Sequence, residues 1–285
     1  MPARKPSLPS SLQELASQSD ARIDVALGAA LVAKDAYPSL DPAAVLDDLD
    51  EMSAPLFPLR LEERSPQEQV QALSEHVYES LGFRGNEDDY YDPRNSLLSD
   101  VLTRRLGIPI TLAIVYCQIA RRVGVPARGV GFPGHFLVRV DDPRRPDDPP
   151  LAIDPFFAGR VLDRPAIERL LQRALGPEES LRPEEHLAPA SARSVLVRML
   201  TNLKAIYLTR GDHARAHLAA DRILLFSPDS PSVLRERGDL AARLGAHESA
   251  KVDFARALEL DPQGAESGVL RTRLAELERS RRSLN

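Results

Sequence analysis

At 285 residues the chain is long enough for one large domain or two of ordinary size, and its 43% hydrophobic and 28% charged residues are those of a globular protein. A net charge of −5 argues against a general nucleic-acid binder, and a single cysteine excludes an intrachain disulfide and most cysteine-based metal sites. No run approaches the roughly 18 apolar residues of a membrane span, and the cysteine usage makes a cytoplasmic location the expectation.

Residues 1–19 carry Arg4 and Lys5 but Pro and Ser where a signal peptide needs an apolar core, so they read as a short flexible tail. From Asp20 to Ala36, apolar residues at Ile23, Ala26, Leu27, Ala30 and Leu31 define a helical face. Asp41-Pro42 supplies an N-cap and a first-turn proline to a second helix, with Val45, Leu46, Leu49 and Met52 on one side. Ser65-Pro66 with Glu68 opens a third, whose inward residues are Val70, Leu73, Val77 and Leu81.

The loop around Tyr90-Tyr91-Asp92-Pro93-Arg94-Asn95-Ser96 gathers aromatic and polar residues. Asp92 and Asn95 are turn and cap residues by type, which suits a helix entry. The functional alternative places Arg94 and Asn95 on a cleft beside His135. A helix over 96–106 follows. Gly107-Ile108-Pro109 then starts an apolar helix with Ile110, Ala113, Ile114, Cys117 and Ala120 on one stripe.

Two strands come next, over 125–130 and 135–140, with the second opening on His135. The charged stretch 141–150 is a solvated loop, and Leu151–Asp154 returns as a third strand in an antiparallel hairpin with the second. Asp163 and Pro165 begin a further helix ending at Gly176. Between Pro177 and Pro189 the chain is acidic and proline-rich, and a domain boundary is placed there, giving a first domain over 20–188 and a second over 189–285.

The last third repeats. Gly211 and Gly245, Ala216 and Ala250, and Pro228 and Pro262 are each 34 residues apart, the tetratricopeptide period of two antiparallel helices with small residues at their crossing. Two units are few for independent stability, and 272–282 offers a final capping helix. The spacing predicts a helical surface suited to a protein or peptide partner.

The order of helix, histidine and aspartate over 107–154 is that of cysteine-histidine-aspartate hydrolases and acyl transferases. His135 and Asp154 are the candidate base and its orienter, or equally a structural histidine tied to a strand-end carboxylate. The nucleophile belongs at the start of the helix opened by Pro109, where the helix dipole favours a thiolate. Cys117 lies about two turns further on, as a small core residue. Thr111 is the only hydroxyl near the helix start, a weak nucleophile whose simpler role is capping. His213 and His217 are spaced i, i+4 but lack a third ligand, and no phosphate loop is present, so neither a metal nor a cofactor is expected.

Tyr91-Asp92-Pro93-Arg94-Asn95-Ser96, Gly107-Ile108-Pro109-Ile110-Thr111-Leu112, Gly129-Val130-Gly131-Phe132-Pro133-Gly134-His135-Phe136 and Ile153-Asp154-Pro155-Phe156 together resemble the SirB-type bacterial proteins. The resemblance implies an α+β, papain-like transglutaminase-like core followed by an all-α tetratricopeptide repeat module. It also implies that His135 and Asp154 occupy the family's histidine and aspartate positions. The cysteine position falls near Pro109 to Thr111, where this chain has none. The expectation is therefore a pseudo-enzyme whose cleft and repeats serve protein interaction or regulation, the alternative being a cysteine-independent hydrolase or acyl transferase using His135 and Asp154.

Overall fold

The computed structural model describes residues 8–282 of the chain. They fall into two compact units, one ending at Met199 and the other starting at Leu200.

The first unit begins with α1 (Leu12–Ala16), capped by Ser11, whose hydroxyl accepts from Glu14 N–H. Leu12, Leu15 and Ala16 are buried, which corrects the expectation of a tail over 1–19 for its second half; the first seven residues lie outside the described ones. The period of three to four apolar residues was carried by too short a stretch to register. Asp20 does not open the next helix. It makes a short 3-10 turn, and its carboxylate accepts from the backbone N–H groups of Ala192 and Arg193.

Helix α2 (Val25–Ala36) is capped by Asp24, and α3 (Pro42–Ser53) by Asp41 with Pro42 in its first turn. Helix α4 (Pro66–Ser74) starts on a complete Ser65–Glu68 capping box and runs on into a π-helical turn over Glu75–Ser80. Strand β1 (Arg84–Gly85) pairs in parallel with β2 (Leu106–Gly107), a two-residue ladder on either side of α5 (Leu98–Arg104). The expected helix over 96–106 is thus shortened, because Arg105 turns left-handed (φ 61°) to enter β2.

Helix α6 (Pro109–Arg122) is the centre of the unit. Nearly every residue from Pro109 to Ala120 is buried, as a helix apolar on all sides requires, with α2, α3, α4 and α5 around it and a sheet beyond. Each large aliphatic side chain buried there contributes about 1.5–3 kcal/mol relative to exposure.

The sheet is antiparallel in the order β3 (Ala127–Val130), β4 (Leu137–Val140), β5 (Leu151–Asp154) and β6 (Arg160–Leu162). Val138 opposite Ile153 faces α6, whereas Leu137, Ala152 and Leu162 join Ile167 and Leu171 of α7 (Arg164–Leu175) in a second cluster. Strand β6 was not expected: three residues are too few to show alternation. After the short α8 (Pro183–His186) the chain adds a bridge from Val130 to Pro189, and Ala190 N–H donates to Gly129. Those bonds tie the acidic, proline-rich stretch to the sheet. The compact-unit boundary accordingly lies inside α9 (Ala192–Thr209) and not before residue 189.

The second unit contains α10 (His213–Phe226), α11 (Pro231–Arg243), α12 (His247–Leu260) and α13 (Ser267–Arg282). Ala241, Ala250, Phe254 and Ala257 fill its core together with Leu234 and Leu270. The crossing of α11 and α12 needs a glycine: a Cβ on Gly238 would come 2.6 Å from Phe254 Cε1. Arg237 donates through Nη1 to Asp221 (2.7 Å) and through Nη2 and Nε to Asp253 (2.6 and 2.9 Å), linking α10, α11 and α12.

Candidate functional site

The first unit carries a groove of about 360 Å³ at the N-terminal end of α6, with His135 and Pro109 in its lining. His135 does not open strand β4 as the sequence suggests. It sits in the Pro133-Gly134 turn two residues earlier, where its N–H donates to Phe132 O at 3.1 Å. Gly134 takes φ 66°, and a Cβ there would come 3.0 Å from Ala174 Cβ of α7, so the turn is held against that helix.

Asp154, at the end of β5, is 1% exposed, and its Oδ1 lies 3.0 Å from His135 Nε2. The same oxygen accepts from the N–H groups of Phe156 (3.0 Å) and Phe157 (3.4 Å), an Asx-type turn that fixes the carboxylate before the imidazole reaches it. A carboxylate can only accept, so Nε2 donates to it, and in the neutral ring Nδ1 is the acceptor nitrogen. Among the described residues Nδ1 has no hydrogen-bond partner, and the side chain keeps 15% of its surface. The pair thus sets a carboxylate-oriented imidazole in the lining of the groove.

No cysteine stands at the start of α6. Pro109 stands where the helix meets the groove. Thr111 is fully buried and its hydroxyl is used up: Oγ1 donates to Asn95 O at 2.7 Å and accepts from Ile108 N–H at 3.1 Å. Thr111 thus caps α6, and it is not among the residues that line the groove. Cys117 is intermediate in exposure as a residue, yet burial desolvates its thiol and pushes it up to about 12. Its side chain lies on the same stripe as the buried Ala113 and Ile114, and it makes no hydrogen bond to His135.

Asn95 and Arg94 do not line the cleft. Asn95 is fully buried; its amide donates to Asp89 O (2.7 Å) and Tyr90 O (3.3 Å) and its Oδ1 accepts from Asn86 Nδ2 (3.0 Å). Arg94 turns away to Asp92, which also receives Arg104. Burial pushes the Asp92 carboxyl up, but the Arg94 side-chain and backbone donors with the Arg104 and Arg94 charges outweigh it and hold the group below the usual carboxylate range. The polar residues of this loop build its frame, and the frame presents Tyr90.

Tyr90 was one aromatic among several in the sequence. Its ring meets Phe156 edge-on at 5.9 Å, and Phe156 meets Phe157 at 5.2 Å, forming an aromatic wall beside His135. Leu170, Arg173 and Ala174 of α7 form the facing wall. No short motif marks these α7 residues; the sheet brings them in.

The whole-chain comparisons agree with this architecture. The family model described as Transglutaminase-like superfamily matches residues 43–201, and the Tetratricopeptide repeat model matches residues 203–275. A UPF0162 protein of Xylella fastidiosa (strain 9a5c) is 38% identical over 270 residues, covering 94% of each chain. A UPF0162 protein of Pseudomonas aeruginosa is 32% identical over 246 residues, covering 86% of this chain and 88% of that one. F-box only protein 21 of Mus musculus is 30% identical over 188 residues, which are 62% of this chain but 28% of that protein. With the helix, the histidine turn and the aspartate strand in place and more than half of its length matched, the chain belongs to the transglutaminase-like superfamily and to the UPF0162 family, with tetratricopeptide repeats as its second part.

Proposed function

We propose that this protein is a non-catalytic, SirB-type member of its superfamily, acting as an interaction or regulatory module through its cleft and its repeat surface. One observation carries the reading: Pro109, at the start of α6, shares the groove lining with His135, and the single thiol lies about two turns along the helix with its ionisation suppressed. A thiol pushed to about 12 is essentially all in the unreactive form near neutral pH. Repeats of this kind present helical surfaces to proteins or peptides, which fits the second part of the chain. The test is alkylation of the native protein with iodoacetamide, read by intact mass. Cys117 is expected to stay unmodified until denaturant is added. Rapid stoichiometric labelling that disappears in His135→Ala would overturn the reading.

A second reading has its own support in the free Nδ1 of His135 and the 3.0 Å bond behind it. Here His135 takes a proton from water, the water oxygen attacks an acyl carbon, and the proton passes to the leaving group. Turnover of p-nitrophenyl acetate that is lost in His135→Ala, with an unchanged melting temperature, would favour it. A melting temperature that falls with no activity to lose identifies His135 as structural.

A further inference from the structure

The groove beside His135 has a sign. None of its lining residues is acidic, and Arg173, exposed near the end of α7, pairs with no carboxylate among the described residues. A second guanidinium reaches the His135 turn. Arg198 Nη2 donates to His135 O at a long 3.4 Å, has no carboxylate partner among the described residues, and is close enough to the Tyr90 hydroxyl to act on it. The acid bonded to His135, Asp154, is 1% exposed and spends Oδ1 on three N–H groups, while the exposed run Glu87-Asp88-Asp89 precedes Tyr90 outside the lining. Pro109 places the positive end of the α6 dipole at the same opening. In a chain of net charge −5 these contributions make a local positive site with apolar walls.

The walls narrow the ligand further. Tyr90, Phe156, Phe157 and Leu170 offer aromatic and aliphatic surface, and Phe157 is half exposed. A free small anion would leave that surface unused. A volume of about 360 Å³ is at the low end of ligand clefts, and suits a pair of side chains from an extended segment better than a folded partner.

We propose that this groove binds an acidic peptide segment in which a Glu or Asp adjoins an aliphatic or aromatic residue, the carboxylate pairing with Arg173 and the apolar side chain resting on Phe156 and Phe157. The proposal rests on reading the cleft as an interaction site, and adds the chemistry of what enters it. Charge-assisted pairing of a carboxylate with a planar guanidinium supplies direction, and the aromatic wall supplies burial. Arg198 reinforces the field and is a positioning group for the His135 turn.

The experiment is selection of a random hexapeptide phage library on the full-length protein, followed by affinity measurement of one synthesised hit. Hits are expected to carry Asp or Glu next to an apolar residue. Affinity is expected to fall about tenfold or more in Arg173→Glu, and with added salt, as exposed charge pairs do. Arg173→Gln, a milder change at the same exposed site, is expected to give an intermediate loss, and Arg145→Ala, at an exposed arginine outside this groove, none. Hits that are apolar without acidic residues, and are lost in Phe157→Ala, would overturn the charge preference and leave the cleft reading standing. Hits indifferent to Arg173→Glu and Phe157→Ala bind elsewhere and overturn both. An unenriched library overturns both as well.

Discussion

At the scale of single residues, each polar group near the cleft has a task set by what it touches. Asp154 is held by two backbone donors before it meets the imidazole, so His135 inherits a fixed orientation. Pro109 starts α6 and lines the groove together with His135. Installing the missing atom is a direct check: Pro109→Cys in a Cys117→Ala background puts a thiol at a helix N-terminus beside an imidazole, both of which lower a thiol pKa. Alkylation by iodoacetamide at neutral pH is expected to be at least about tenfold faster than for native Cys117, read by the rate of mass increase. Equal rates would show that Pro109 does not face His135. Asp92 has a pH signature of its own. Its carboxyl is held below the usual value, so its contribution to stability is complete above about pH 4, the ordinary unfolded range, and disappears as pH falls through the lower folded value. Asp92→Asn is expected to cost about 1–3 kcal/mol in urea unfolding at pH 7, and to converge on the parent protein as the medium becomes strongly acidic. A pH-independent difference would locate the effect in packing.

Among the elements, the capping signals were the most faithful. Asp41, Ser65 and Asp163 cap the helices they were expected to cap, because a side-chain oxygen and a backbone N–H two or three residues on need nothing from the rest of the fold. Ser65→Ala is expected to lower stability by about 1 kcal/mol, measured by thermal unfolding, since it removes the acceptor of the capping box and the partner of Glu68. Strand β6 and the β1–β2 ladder escaped notice for the opposite reason: with two or three residues each, their identity lies in the partner. The repeat helices were legible through small residues. Gly238→Val is expected to destabilise the second unit by about 1–3 kcal/mol, because the added atoms meet the Phe254 ring and outweigh the helix propensity gained. A stability equal to the parent's would mean that the ring moves aside freely.

For the molecule as a whole, the fold class and both kinds of module were present in the sequence. The 34-residue period, the helix-start proline and the order of His135 and Asp154 are local or linear facts, and each is the sort of pattern that survives without coordinates. The site was half legible. His135 and Asp154 were named because their spacing put them at neighbouring strand ends, and the structure brings them to 3.0 Å. Arg94, Asn95 and Thr111 have the residue types of a site, but their polar atoms satisfy buried backbone groups, which composition cannot distinguish from ligand binding. The facing wall of Leu170, Arg173 and Ala174 was invisible in the chain, since only the packing of α7 across the sheet sets it opposite residues more than ten positions earlier. The sequence by itself determined most of the longer helices, several of their caps, the repeat and the lack of a cysteine at the start of α6, because each is written in residue type and short-range spacing. Tertiary structure alone decided which polar groups are consumed and which face a groove, because burial and hydrogen-bond satisfaction are properties of neighbours brought together by the fold.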